Sequence, residues 1–118
     1  MDLEKKAYMM KVYIGESDKI HGRPLYEEIV FEARKAGLAG VTVYKGTMSF
    51  GASHSIHTMK IFALSSDMPM ILEMIDSKKN LDDFYPHLKK MLDESQKGGL
   101  VTLHPVEVLH YQKGQKYN

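Results

Sequence analysis

The run Met70-Ile-Leu-Glu-Met-Ile75 is apolar at every position but one. It is too short for a self-standing helix, and it does not alternate. A run of this kind reads as a central strand covered on both faces. Any fold for this chain must therefore give that segment strand neighbours on both edges and packing above and below.

The other elements can be arranged around it. Tyr8–Gly15 alternates as a strand, with Met10, Val12 and Ile14 on one face and Met9, Lys11 and Tyr13 on the other. Glu16–Arg23 is a polar loop. Pro24 then suits the first position of a helix. In that helix Leu25, Ile29, Ala33 and Ala36 share a face, acids Glu27 and Glu28 open it, and Arg34 and Lys35 close it. Gly37 supplies the left-handed residue that ends it. Val41–Tyr44 is a second strand. A long polar, glycine-bearing loop follows over 46–58, and Thr58–Leu64 reads as a short extra strand or extended arm. Loops of this length are uncommon unless they function or stay disordered. Ser65-Ser-Asp-Met-Pro69 is turn chemistry.

Beyond the central strand, Asn80 is the expected cap of a second helix, with Asp82 and Asp83 in its first turn. Its apolar stripe is Leu81, Phe84, Leu88 and Leu92, and Pro86 predicts a kink or a new helix start. Lys97-Gly-Gly99 ends it. Leu100–Leu103 and Val106–Tyr111 make a last strand, broken or bulged around His104-Pro105. Residues 1–7 and 113–118 are expected to fray.

The order is β-α-β, long loop, β-α-β within one domain spanning 1–118. That order predicts an α+β fold, the ferredoxin-like βαββαβ plait: a four-stranded antiparallel sheet with two helices on one face and a long loop after strand 2. One sheet face is left bare. Ile71, Met74 and Ile75 cannot all point at the helices, because alternate side chains leave opposite faces. Another copy of the chain is expected to cover that face, and nine methionines suit an adaptable interface.

Composition excludes several functions. A formal charge of +1 lacks the basic excess of an electrostatic nucleic-acid binder. With no cysteine, there are no disulfides, thiolate zinc sites or cysteine nucleophiles. No apolar run approaches the about 20 residues that span a bilayer, and no secretory signal is evident. A cytoplasmic protein that is not membrane-embedded is expected. Gly46–Ala52 lacks the spacing of a phosphate-binding P-loop, and no serine stands in a nucleophile-elbow context. No acid–base pair at convincing spacing points to an enzyme.

His54 and His57, three apart, can chelate a metal if their segment is helical, or stand solvated in the loop. Phe50 either anchors the loop base or offers an apolar tip. Gly22-Arg-Pro24 is either an anion site at a helix start, with Arg23 as the fork, or a plain helix start with Arg23 in water or pairing Glu27. Glu16 and Asp18 either position a ligand hydroxyl or form a charged turn. Asp67 and Asp76 are expected to cap or begin turns.

These residues also carry a resemblance. Gly37-Leu-Ala-Gly-Val-Thr-Val43 resembles the helix-to-strand corner of PII signal-transduction proteins. Glu73-Met-Ile-Asp76 resembles their third strand, and Leu103-His-Pro-Val-Glu-Val-Leu-His-Tyr-Gln-Lys-Gly114 their final strand and its exit. Closer still is a small uncharacterised family of PII-like domains. Tyr13-Ile-Gly-Glu-Ser-Asp18, Gly22-Arg-Pro-Leu25, Gly40-Val-Thr-Val-Tyr-Lys-Gly46, Phe50-Gly51 and Leu64-Ser-Ser-Asp-Met-Pro69 are similar to its pattern.

The resemblance implies a homotrimer with open sheet faces turned inward, subunit clefts that bind an adenine nucleotide, and a long loop that contacts a target transporter or enzyme. Thr42, Gly46 and Met74 align with cleft-lining positions. Gly98 and Gly99, with Lys97, take the place of a phosphate loop, and Arg23 is a second candidate phosphate contact. His110 and Gln112 stand where PII proteins carry arginines. Each lost charge-assisted phosphate contact removes about 1.5–3 kcal/mol, so AMP or ADP is expected rather than a triphosphate. Phe50, Gly51, His54 and His57 would face the target. No metal is expected; the alternative is a metal-responsive trimer using the two loop histidines.

Overall fold

The computed structural model describes residues 6–46, 48–50, 56–58 and 68–115. Its elements are β1 (Ala7–Gly15), β2 (Lys19–Ile20), β3 (Arg23–Pro24), α1 (Leu25–Lys35), β4 (Val41–Lys45), β5 (Met48–Phe50), β6 (Ile56–Thr58), β7 (Pro69–Asp76), α2 (Lys78–Ser95) and β8 (Leu100–Val106). Four of them form an antiparallel sheet in the order β4-β7-β1-β8. β7 is thus an inner strand, as its continuous apolar run requires.

Register decides which side chains meet the helices. Val12 lies opposite Leu72 and Val101, and Met10 opposite Met74 and Leu103. These pairs share the helix face, since directly opposed residues leave an antiparallel sheet on the same side. Met10, Val12, Ile14, Met70, Leu72 and Met74 form one core with Leu25, Ile29 and Ala33 of α1 and Leu81, Phe84, Leu88 and Met91 of α2. Burying side chains such as Leu72 and Leu25 contributes about 1.5–3 kcal/mol each. Met91 takes the core position in α2; Leu92, in the expected stripe, is only half-buried.

The bare face carries Met9, Lys11 and Tyr13 of β1, Ile71, Glu73 and Ile75 of β7, Thr42 and Tyr44 of β4, and Leu100, Thr102 and His104 of β8. The expected split of the central strand is therefore resolved: Met74 points inward, Ile71 and Ile75 outward. Tyr13, Tyr44, Ile75 and Leu100 are all more than a third exposed.

α1 ends as its glycine demands. Gly37 has φ +82°, its N–H donates to the Arg34 carbonyl at 3.0 Å, and the Leu38 N–H donates to Ala33 at 3.2 Å. This is the paired capping that a left-handed C′ residue allows. At the other end Pro24 is the cap residue rather than the first helical one. The Leu25 N–H is satisfied by the Asp18 carbonyl at 2.9 Å.

α2 departs from expectation at both ends, and Asp82 and Asp83 lie beyond its first turn, which holds no acid. Ser77 is its N-cap, accepting from the Asn80 N–H at 3.2 Å, so Asn80 lies inside the helix. The helix runs without a new start through Pro86. Pro86 and Asp82, whose carbonyl lacks the usual donor there, are both exposed, so water can satisfy that group. It closes at Gln96, which adopts φ 60° before Lys97 and the two glycines are reached. β8 in turn runs continuously through His104-Pro105 and stops at Val106. An edge strand tolerates a proline, and the segment expected to continue to Tyr111 is irregular.

Two small ribbons complete the backbone. Lys19–Pro24 forms a hairpin (β2 with β3) whose two-residue loop, His21-Gly22, has φ 51° and 79°, the signs of a type I′ turn. Met48–Phe50 pairs with Ile56–Thr58, so part of the expected loop is a two-stranded ribbon. Beyond Thr58, the expected arm to Leu64 lies outside the described residues, as do Ser65, Ser66 and Asp67.

Candidate functional site

Asp76, at the end of β7, is fully buried and holds three segments together. Its Oδ2 accepts the Ala39 N–H at 2.7 Å. Its Oδ1 accepts the Ser77 N–H at 2.7 Å and the Asn80 Nδ2 at 2.9 Å. One carboxylate thus fixes the corner between α1 and β4 to the start of α2. Asp76, expected to cap or begin a turn, instead ends β7 one residue before the helix cap Ser77. The selection of Ser77 over Asn80 as cap follows, because the Asn80 side chain is engaged by Asp76.

The opposite end of the sheet is where the long insertion leaves and returns. The Gly46 N–H donates to the Pro69 carbonyl at 2.8 Å, and the Glu16 N–H to Met68 at 2.6 Å. Glu16 also bridges to Lys45, Oε2 to Nζ 3.0 Å. A Cβ on Gly46 would come within 3.1 Å of the Pro69 ring and 3.3 Å of Ile71, so this close approach suits glycine. Asp18 closes the adjoining turn, its carboxylate accepting the Gly15 N–H at 2.9 Å. Both acids of the first loop therefore have structural partners.

Gly99 belongs to this same end, with Ile14 and the Tyr13 carbonyl its close neighbours. The β2–β3 hairpin follows directly from β1 here, and its Arg23 pairs Glu28 at 3.0 Å. The predicted pairing with Glu27 is replaced by Glu28.

The expected nucleotide residues are thus partly gathered. Gly46, Gly98, Gly99 and the Arg23 hairpin lie at one end of the sheet. Thr42 stands on the bare face opposite Glu73. Met74 does not join them: it has no exposed surface and belongs to the core beneath the helices. His110 and Gln112, bonded to each other at 3.2 Å, follow β8 beyond the far end. The gathered residues also sit on opposite margins. Thr42 and Gly46 belong to the β4 edge, Gly98 and Gly99 lead into the β8 edge, and two strands lie between. At about 4.8 Å per strand that separation is roughly 14 Å.

The bare face has its own polar centre. Lys11 lies 3.4 Å from Glu73, and the Tyr44 hydroxyl donates to Glu73 at 2.7 Å. That hydrogen bond, reinforced by desolvation and by the carboxylate charge, holds the Tyr44 phenol above the usual tyrosine range. A shallow recess of about 340 Å³ lies elsewhere, between the helices, lined by Glu32, Lys35, Asp83, Phe84 and His87 among others.

Of the loop residues, Phe50 and His57 stand in β5 and β6; Gly51 and His54 lie outside the described residues. His57 is in a strand, not on the helix that chelation with His54 requires. Among the described residues no group of three or more histidines and acids is placed to hold a metal. No described helix is long and apolar enough to cross a membrane. Sequence reasoning did not single out His21 or Lys45; the dipeptide His21-Gly22, between two short β-capable pairs, is the signal that marks the hairpin.

The two helices on one face of a β4-β7-β1-β8 sheet define a ferredoxin-like α+β fold. The fold is similar to that of CPII, a nitrogen regulatory PII-like protein from Thiomonas intermedia K12, solved bound to ADP, AMP and bicarbonate. The TM-score is 0.68 at 14% identity, over 87% of this chain and 88% of that one. Residues 7–108 match the DUF190 family, described as "Uncharacterized ACR", and the chain belongs to that family. It is 31% identical over 112 residues to a UPF0166 protein from Methanocaldococcus jannaschii, covering 95% of this chain and 97% of the relative. A UPF0166 protein from Aquifex aeolicus is 29% identical over 105 residues, covering 89% and 95% respectively.

Proposed function

We propose that this protein is a regulatory trimer that binds an adenine nucleotide between subunits and contacts a target through residues 46–58. The observation that carries this reading is the division of the candidate residues between the two margins of one sheet. Thr42 and Gly46 on β4, and Gly98 and Gly99 before β8, come together only when the β4 edge of one copy meets the β8 edge of another. The bare apolar face supplies the driving force for such an assembly.

Thr42 and Gly46 would lie near the base, and Gly98-Gly99 with Arg23 near phosphate. Gly46 is also the point at which the target-facing segment leaves the sheet, so a ligand there would act on that segment's base. It shifts that segment only through unequal affinity for its states. With His110 and Gln112 in place of fixed cations, AMP or ADP is favoured over ATP. The ADP and AMP bound to CPII support the ligand class. The role is regulatory rather than enzymatic, and the target is a transporter or an enzyme.

Light scattering at low protein concentration, followed by calorimetric titration with AMP, ADP, ATP and cyclic AMP, tests this. The expected result is a trimer that takes up AMP or ADP more tightly than ATP. A monodisperse monomer, or no heat with any of the four, refutes it.

A further inference from the structure

Strand register sets the side chains of the bare face in rows that cross the sheet. At the insertion end the row is Tyr44, Ile71, Tyr13 and Leu100. Towards the other end it is Ile75, Met9 and His104. Between these lie Thr42, Glu73, Lys11 and Thr102, one residue from each strand. The middle row is polar from margin to margin. Its neighbours, about 7 Å away along each strand, are predominantly apolar, and Tyr13, Tyr44, Leu100 and Ile75 among them are exposed.

The polar row is matched within one chain. Glu73 lies 3.4 Å from Lys11 Nζ in the same row and accepts the Tyr44 hydroxyl, at 2.7 Å, from the row beside it. The Lys11 and Glu73 side chains are 26% and 27% exposed, so both are already largely withdrawn from water. Covered together, the two charges compensate each other; covered without its partner, either one is strongly destabilising. Thr42 and Thr102 end the row at the β4 and β8 margins. A hydroxyl both donates and accepts, so one threonine can satisfy another.

These features fit a second copy of this chain. Lys11 and Glu73 offset each other, so the face does not select a strongly acidic or basic partner. The ends of the polar row lie at the two margins that meet in the assembly proposed above. With neighbouring copies docked at the same level, Thr102 of one meets Thr42 of the next, and the polar row continues from sheet to sheet.

We infer that the row of Thr42, Glu73, Lys11 and Thr102 fixes the register and copy number of the assembly. This rests on the trimer proposed above. The apolar rows attract without direction. The polar row penalises the alternatives: a slip of two residues, the smallest that keeps the same face inward, sets Glu73 and Lys11 level with Ile71 and Tyr13 of the neighbour. Specificity then comes from what a wrong docking would bury unpaired, much as one polar residue in an apolar seam selects register and oligomer state in coiled coils.

The test is native mass spectrometry with sedimentation velocity, without nucleotide, on wild type, Lys11→Arg, Lys11→Met and the double variant Lys11→Met/Glu73→Leu. Neither position belongs to the proposed nucleotide contacts or to the core beneath the helices, and circular dichroism checks the fold. Wild type and Lys11→Arg, which keeps the charge, should each be one trimeric species. Lys11→Met leaves the Glu73 carboxylate without its cation, and its trimer should dissociate at a protein concentration at least about tenfold higher. The double variant should associate at least as tightly as wild type, but as a mixture of copy numbers. A double variant that forms a single trimeric species, or a folded monomer, overturns the selecting role. So does a Lys11→Met trimer that dissociates as wild type does, and that comparison decides alone if the double variant fails to fold. In each of these cases the wild-type trimer still stands. A wild-type monomer instead removes the trimer itself, and the role of the row with it.

Discussion

Asp76→Asn keeps the volume of a fully buried side chain and changes one acceptor oxygen into a donor. In the wild type both oxygens accept: Oδ2 from Ala39, Oδ1 from Ser77 and Asn80. The variant amide must therefore point its NH₂ group at an N–H, whichever way it is turned. Facing Ala39 it sacrifices one charge-assisted bond and leaves two donors opposed; facing Ser77 it loses two bonds. A bond to a charged group contributes about 1.5–3 kcal/mol, and a buried donor left unmet costs about 1–3 kcal/mol. The two figures overlap, and removing a buried charge returns part of its desolvation cost. The net loss is therefore about 2–4 kcal/mol, and about 3–5 kcal/mol for Asp76→Ala, which forfeits all three bonds. For a domain of this size that lowers Tm by roughly 8–20 °C. The assay is urea unfolding at fixed protein concentration, with amide exchange at Ala39 as the local readout. An Asp76→Asn variant within 0.5 kcal/mol of wild type (about the spread of a neutral surface change), with Ala39 exchange unchanged, would refute the account of this carboxylate as the strut between α1, β4 and α2.

Gln96→Gly should stabilise the protein, because a non-glycine left-handed residue costs about 1 kcal/mol. Differential scanning calorimetry should show a rise of roughly 2–4 °C, allowing for the extra freedom of glycine in the unfolded chain. The Tyr44 phenol is held above the ordinary tyrosine range by its bond to Glu73. The stabilisation is thus present below the unfolded value near pH 10 and is lost as pH rises through the higher folded value. Ultraviolet titration should show a late-ionising tyrosine that Tyr44→Phe removes and Glu73→Gln returns to the ordinary range; a Tyr44 that ionises with the rest contradicts the bond.

Much of the fold was legible because its strongest signals are local. The continuous run in β7, the alternation of Met10, Val12 and Ile14, and the acid-to-base gradient of α1 ending in Gly37 each need only neighbouring residues to be read. The choice between Ser77 and Asn80 does not, since both can cap and a buried carboxylate engages one of them. The end of α2 was placed at the glycines by propensity, whereas the chain turns at Gln96. The hairpin was missed because His-Gly is an unusual filling for a turn that prefers Asn-Gly. In the site, Met74 was misplaced because similarity to a cleft-lining position does not say which face a side chain leaves by. Its register with Met10 does. The division of Gly46 and Gly99 between margins is likewise invisible until the strand order is known.

A sheet with two unlike margins has a genetic consequence. In the trimer proposed above, the margin of one copy docks against the other margin of the next, a heterologous contact whose rotation closes into a ring. Every pocket in such a ring is shared property, half from each neighbour. A copy damaged only at Thr42 and a copy damaged only at Gly99 are then each inactive alone. Mixed in equal amounts, they rebuild about a quarter of the pockets intact. Two defective alleles of this chain would complement one another within a single particle.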